Sequence, residues 1–385
     1  MARTFDFVVI GAGAAGASAA FALSRHGSVA LIEMERQPGY HSTGRSAAIH
    51  SCAYGPRTWQ MITSASRDFF MHPPAGFSDT PLTRPLGALY LAAPHEEAQL
   101  RAEAEDLARR RVPCELMSAA DAARLAPAVR MQPFSLALLE PGCVDLDANA
   151  ILQGYLRSAR AQGAEILLDA EALSLSRRSG AWVVETRNGS LEAATIVNAA
   201  GAWVDVVAER AGLARRGVLP FRRTAITFAP TGYDCSRWPM TFDVAETWYL
   251  KPEQGRLMMS PADLIAAEPG DAQPEEIDIA VAIDRLETVT VLKVDRLTSR
   301  WAGLRVLAPD HEAVIGPDPD EPSFIWYAGQ GGNGVMGSPA GGEICAALAV
   351  GAGLPRHVVE MGLNEAMISP ARLAPSTAQW APAGA

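Results

Sequence analysis

The sequence predicts an α/β protein in which a parallel sheet is combined with a second, mainly antiparallel one. Three observations carry that expectation. A short apolar run, Phe7-Val8-Val9-Ile10, passes through a glycine-rich turn into a small-residue helix and a second apolar run, Val29-Ala30-Leu31-Ile32, which ends on Glu33. A similar apolar strand running into a small-residue turn and a helix returns at TIVNAAGAW, residues 195 to 203. From Val218 to about Ser299 the pattern is strand-rich with long loops, as in an antiparallel sheet of a second domain.

The first stretch has a specific physical meaning. A run of four apolar residues suits a strand buried inside a parallel sheet. Gly11, Gly13 and Gly16 form G-x-G-x-x-G. The first permits a tight turn, the second lets the backbone approach a pyrophosphate, and the third allows close packing of helix on strand. The helix N-terminus offers N–H groups and partial positive charge to the phosphates. Glu33, at the end of the second strand, is placed to accept from ribose hydroxyls. Strand, glycines, helix, second strand and terminal acid in this order point to dinucleotide binding.

Further elements follow in order. Residues 39 to 55, GYHSTGRSAAIHSCAYG, form a loop entering a helix over residues 57 to 71. Leu86 to Ala92 is strand-like, Glu96 to Arg111 a charged surface helix, Ala119 to Leu125 a short helix, and residues 136 to 146 strand again. Asp147 to Gln162 is an amphipathic helix with Asp147 as its N-cap. Strands are expected at Glu165–Leu168, Ala172–Arg177, Trp182–Thr186 and Thr195–Asn198, and a last pair at Trp301–Arg305 and Phe324–Tyr327. Gly329-Gln330-Gly331-Gly332-Asn333-Gly334 repeats the glycine pattern, but no second strand or terminal acid follows it. It is expected instead to present N–H groups and the positive end of the helix Ser338–Val350 to an anionic ring. The end of the chain, placed in a disordered tail over 373–385, has the Ala/Pro/Ser/Gly makeup of a disordered terminus.

Composition narrows the partners. With 385 residues the chain has room for two or three domain-sized units. A formal charge of −10 disfavours nucleic acid or an anionic membrane as partner. No apolar run is long enough for an integral membrane segment, and the N-terminus lacks a signal-peptide layout. Five scattered cysteines, with no C-x-x-C, suggest neither disulfides nor a metal site and fit a reducing cytoplasm. Peripheral association with the inner membrane stays open.

The stretches IGAGAAGAS, QPGYHSTGRSAA, AYG, FFMHPPAGF, VNAAGAW, RRTAITFAP, WPM, WYLKP, WAGLR, GQGGNG and GLNEAMISP run from residue 6 to about 372. In these the chain resembles the D-amino acid oxidase superfamily of FAD enzymes, which includes glycine and sarcosine oxidases. Within it the likeness is greatest to bacterial FAD-dependent D-arginine dehydrogenase. The resemblance implies a Rossmann-like FAD domain of the glutathione-reductase type, built from 1–80, 145–215 and 300–372. It is interleaved with an α+β substrate domain from 81–144 and 216–299. It implies non-covalent FAD contacting Gly11, Ala12, Gly13, Ala15, Gly16, Glu33, Met34, Thr43, Gly44, Arg45, Ser46, Ala47 and Ala48. Leu173 would meet the adenine through its backbone, and Gly201, Gly303, Gly331, Gly332, Asn333 and Gly334 would complete the cofactor site.

The resemblance also implies a substrate site. Arg222 and Arg305 match carboxylate-binding positions, and a planar guanidinium suits a carboxylate held through two bonds. Arg223 as the pocket residue, with Arg222 outside, is the alternative on the same strand. Tyr54 and Tyr249 match substrate-orienting hydroxyls, and the Gly332 carbonyl would accept from the amine. Ile49, Ser51, Met240, Phe242 and Met336 would complete the pocket. The implied reaction is hydride transfer from Cα of an amino acid with a neutral amine to flavin N5, giving an imino acid; the electron acceptor that follows, quinone, another carrier or O2, stays open.

Three departures bear on the substrate. The arginine-selective relative places an acid on the strand matching Leu86–Leu89, where this chain has Leu86-Gly87-Ala88-Leu89. The family histidine after GRSAA is Ile49 here, with His50 one place later, and Met336 stands where that relative has glutamine. The expected substrate is therefore a D-amino acid with an uncharged, hydrophobic side chain. Alternatives are a secondary amine (N-methyl or cyclic), a 2-hydroxy acid, or a flavin-binding subunit without a substrate of its own.

Overall fold

A computed structural model describes residues 3–376 of the chain. The strand Arg3–Ile10 lies between two parallel neighbours, Val29–Ile32 and Gly189–Asn198. Glu165–Leu167 extends this sheet beyond Val29–Ile32. Phe324–Ala328 joins it in parallel beside Asn198 and pairs antiparallel with Val314–Pro317. A hairpin, Ala172–Arg178 with Ala181–Thr186, completes the eight strands. Val8 and Val9 have no exposed surface and Val29–Ile32 is buried throughout, as both faces of the sheet are covered.

The helix Ala14–Leu23 has no polar face and is buried except at Ala15. It packs against the helices Ala148–Ala161 and Ser338–Ala349. The approach of Ser338–Ala349 is so close that a Cβ on Gly342 would lie 2.8 Å from Ser18. Asp147 caps the helix Ala148–Ala161 by accepting from the Ala150 N–H at 2.8 Å.

The second sheet has nine strands and is antiparallel except where Met240–Asp243 runs beside Ala88–Ala92. Its longest ladder joins Leu219–Phe228 to Leu297–Leu307. A domain boundary at 300 would cut this strand; the chain returns to the first sheet only at Val314–Pro317. Trp301–Arg305 and Phe324–Tyr327 are thus both strands, but in different sheets rather than paired. A small third sheet joins Ile49–His50, Val144–Leu146 and Thr83–Pro85.

One helix interrupts the region expected to be strand and loop. Glu276–Val289 begins with a capping box formed by Glu275 and Asp278. It lays Ile279, Ala282 and Leu286 on the core beneath the second sheet, with Ile226, Phe228 and Met259. At the C-terminus, Leu373–Ser376 is ordered, contrary to the expected tail beginning at 373. Leu373 is buried and its carbonyl accepts from Arg216, while the Ser376 N–H donates to the Arg215 carbonyl. Residues 377–385 lie outside the described part. Among the described residues no helix is long and apolar enough to cross a membrane.

Candidate active site

One continuous cleft runs from the C-terminal edge of the parallel sheet to the face of the antiparallel one. At its first end Gly11 adopts φ +99°, and a Cβ there would lie 2.7 Å from the Ala199 carbonyl oxygen. A Cβ on Gly16 would lie 1.8 Å from the Gly11 oxygen, so the turn closes only with glycine at both places. Gly13, Ala14 and Ala15 bring the helix N-terminus onto the cleft. Glu33 is buried, accepting from the Ala12 N–H at 2.7 Å and the Glu35 N–H at 3.1 Å. Burial raises its pKa against the pull of those two N–H donors.

The loop from Gly39 to Ala48 forms one rim. Thr43 Oγ1 accepts from the Ala14 N–H at 3.0 Å and Ser42 Oγ donates to the Leu304 carbonyl at 2.7 Å. Arg45 is a clasp between distant segments. It donates to the carbonyls of Ala272 (2.7 Å) and Ala302 (3.1 Å), pairs with Asp271, and lies over the Tyr40 ring. The Trp301 indole donates in turn to the Arg45 carbonyl at 3.1 Å. On the opposite rim the Trp59 indole holds the Gly329 carbonyl at 2.8 Å, fixing the second glycine loop.

At the far end, Arg223 and Arg305 face each other with Tyr54 and Tyr249. Arg305 Nη1 donates to Tyr54 Oη at 2.8 Å, and Arg223 Nε donates to the Asp263 carbonyl at 2.8 Å. Burial and the neighbouring Arg305 lower the pKa of Arg223. Burial also opposes charge on Arg305, but Tyr54, Tyr249 and Glu246 outweigh it and raise its pKa. Burial pushes Tyr54 up, against the pull of Arg305, so its phenol keeps its proton. Among the described residues neither arginine forms an ion pair with a carboxylate. Two adjacent guanidinium groups with no hydrogen-bonded carboxylate keep donors that could receive an anion. Beside them the wall is apolar: Ile49, Met240, Phe242, Met258 and Met336.

The structure corrects several expected positions. Arg222 does not line the cleft. It pairs with Glu275 and, at 2.9 Å, with Asp278, on the side facing the helix Glu276–Val289. The reason is strand parity: Arg223 stands opposite Gly303 and Phe221 opposite Arg305, so the intervening Arg222 points to the other face. Ser51 is buried behind the wall, bonded to Glu140 and Tyr90. Leu173, expected to contribute its backbone, is 43% exposed and is not itself part of the lining; its neighbours Ala170, Glu171 and Ala172 are.

Ala12, Gly16, Gly44 and Asn333 also lie outside the lining. Ala12 and Gly16 shape the first turn, a Cβ on Gly44 would lie 2.7 Å from the Gly39 oxygen, and Asn333 packs against Gly55. Gly11, Gly13, Ala15, Glu33, Met34, Thr43, Arg45, Ser46, Ala47, Ala48, Gly201, Gly303, Gly331, Gly332 and Gly334 line it. Arg223 lines it, as the alternative reading of that strand had it. Met258, Trp301 and Gln330 are lining residues not named as site positions, although Trp301 opens WAGLR and Gln330 lies in the second glycine loop; no pattern in the sequence marks Met258. His50 points away: its Nε2 contacts the Thr63 carbonyl at 2.9 Å, and burial lowers its pKa to about 4. Glu140, opposite Ala88 on the neighbouring strand, turns to Ser51 and Cys52 rather than to the cleft.

Comparison with known proteins places the chain in a family and matches its fold. A match to the family described as FAD dependent oxidoreductase, DAO, spans residues 6–348. Glycine oxidase of Bacillus licheniformis is 25% identical over 373 residues, covering 91% of this chain and 94% of that protein. Among solved structures, L-proline dehydrogenase from P. horikoshii superposes with a TM-score of 0.81 at 21% identity, covering 94% of this chain and 100% of that one. L-α-glycerophosphate oxidase from Mycoplasma pneumoniae, with FAD bound, gives a TM-score of 0.81 at 17% identity, over 90% of this chain and 95% of that one.

Proposed function

The chain belongs to the DAO family of FAD-dependent oxidoreductases, and from that premise we propose that it oxidises a D-amino acid with an uncharged, hydrophobic side chain to the imino acid. The observation that carries the proposal is the pair Arg223 and Arg305, converging without a carboxylate of their own beside an apolar wall. The cleft suits FAD: glycines at Gly11 and Gly13, a helix N-terminus at Ala14, and Glu33 at the end of the second strand lie along it. The bound flavin supplies the two-electron acceptor for the Cα hydride.

In this reading Arg223 and Arg305 grip the substrate carboxylate, and Tyr54 and Tyr249 orient it. The Gly332 carbonyl accepts from a neutral amine, so no separate base is required. Binding fixes the Cα–H toward the acceptor, and orientation is the main service the protein performs. The released imino acid hydrolyses in water. Ile49, Met240, Phe242, Met258 and Met336 leave a cationic side chain unpaired, which costs several kcal/mol. Steady-state rates are accordingly expected to rank D-leucine, D-methionine and D-phenylalanine above D-arginine. Preference for D-arginine would refute the apolar-pocket assignment.

A secondary amine is the second reading. Ile49, on the lining where the resemblance places a histidine, gives the amine end no side-chain polar partner and tolerates an N-substituent. Analysis of the nitrogen product separates the two: ammonia from a primary amine, a retained C–N bond or methylamine from the other.

The Arg45 clasp yields a separate expectation for the cofactor. Asp271→Asn weakens the tie between the 39–48 loop and the segment at 271–272, and FAD should leave several-fold faster. The side chain of Asp271 is 47% exposed, which limits the effect to about 1 kcal/mol. The rise of flavin fluorescence after dilution measures it, and an unchanged release rate would exclude a role for the clasp in retention.

A further inference from the structure

We propose that Glu140 is a positioning residue that fixes Tyr54 against Arg305. The inference rests on the reading of Tyr54 as a substrate-site hydroxyl. Glu140 ends the strand Leu136–Glu140 and has no exposed surface. Its Oε2 accepts from Ser51 Oγ at 2.5 Å and its Oε1 from the Cys52 N–H at 2.8 Å. Both carboxylate oxygens therefore hold the short segment that leads into Tyr54. Ser51 Oγ, whose hydrogen is already donated to Glu140, accepts from the Tyr90 hydroxyl at 2.8 Å.

Tyr90 opens a second arm to the same place. Its ring stacks on Phe242 at 5.1 Å and 8°, and Phe242 stacks on Tyr54 at 5.7 Å and 27°. The backbone arm and the ring arm converge on the phenol that meets Arg305. A carboxylate is costly at such depth, and burial raises the pKa of Glu140. No arginine or lysine hydrogen-bonds to it among the described residues. What the acid supplies is two acceptor oxygens in one plane; a glutamine offers one and turns an NH2 toward a donor.

The test uses the FAD-loaded enzyme with Glu140→Gln. Tyr54 acts on the carboxylate grip, a contact made in the ground state and in the transition state alike. KM is therefore expected to rise about fivefold or more, with kcat within about twofold. The flavin spectrum and content stay those of the parent. A crystal structure of the variant should show the Tyr54–Arg305 contact lengthened or broken. Ser51→Ala cuts one arm and should shift KM in the same direction, which decides the matter if Glu140→Gln does not fold. Unchanged KM with an intact Tyr54–Arg305 contact overturns the inference. A displaced Tyr54 in a protein whose flavin no amino acid reduces would uphold the positioning and refute the substrate reading instead.

Discussion

Arg305→Leu is expected to lower kcat/KM for an amino acid substrate by about 150-fold, the equivalent of about 3 kcal/mol for losing one partner of a desolvated charge pair. Arg223→Leu should cost a similar amount. Both guanidinium groups are spent on the cleft: one holds Tyr54, the other the Asp263 carbonyl, and each keeps donors for an incoming carboxylate. Lysine should not rescue either, because a point charge lacks the planar fork. Arg222→Leu is the discriminating control. Its partners, Glu275 and Asp278, belong to the capping box of a helix outside the cleft. It should lower thermal stability, because Asp278 is buried and loses its cation, while leaving kcat/KM within about twofold, because Arg222 does not line the cleft. A larger loss in Arg222→Leu than in Arg223→Leu would reverse the assignment of the two faces.

Gly16→Val should give a protein that does not retain FAD. The added Cβ would lie 1.8 Å from the Gly11 oxygen, and Gly11 itself is pressed against Ala199. Neither backbone can yield without moving the helix Ala14–Leu23 away from the strand Arg3–Ile10, and overpacking of this kind costs about 1–3 kcal/mol or more. The helix N-terminus moves with it, so the phosphate-binding turn is lost. Absorbance of the purified variant near the flavin bands should be absent, and added FAD should not restore it. A variant that holds FAD stoichiometrically would contradict the packing argument.

Much of the framework was legible because it rests on local rules. Gly11, Gly13, Gly16 and the buried run Phe7–Ile10 carry their geometry in adjacent residues. The N-cap at Asp147 and the helix Arg57–Met71 were legible for the same reason. The misassigned positions depend on what lies across space. In Phe221-Arg222-Arg223-Thr224 neither parity is favoured by polarity, so the cleft-facing arginine is fixed only by register with Gly303 and Arg305. Ser51 serves a carboxylate 89 residues away, which no spacing discloses. Glu276-Ile277-Asp278-Ile279-Ala280-Val281 alternates like a strand and is rich in β-branched residues, yet it folds as a helix because Ile279, Ala282 and Leu286 meet one core. Exposed Ile277 and Val281 are the residue of that false period.

The most direct test of the whole account is anaerobic mixing of the FAD-loaded protein with D- and L-amino acids and N-methylglycine, following flavin absorbance. Rapid bleaching by D-leucine, D-methionine and D-phenylalanine, slow bleaching by D-arginine, and none by the L-enantiomers is the predicted result. A flavin that stays oxidised with every one of these compounds would contradict the assignment of Arg223 and Arg305 as an amino acid carboxylate grip.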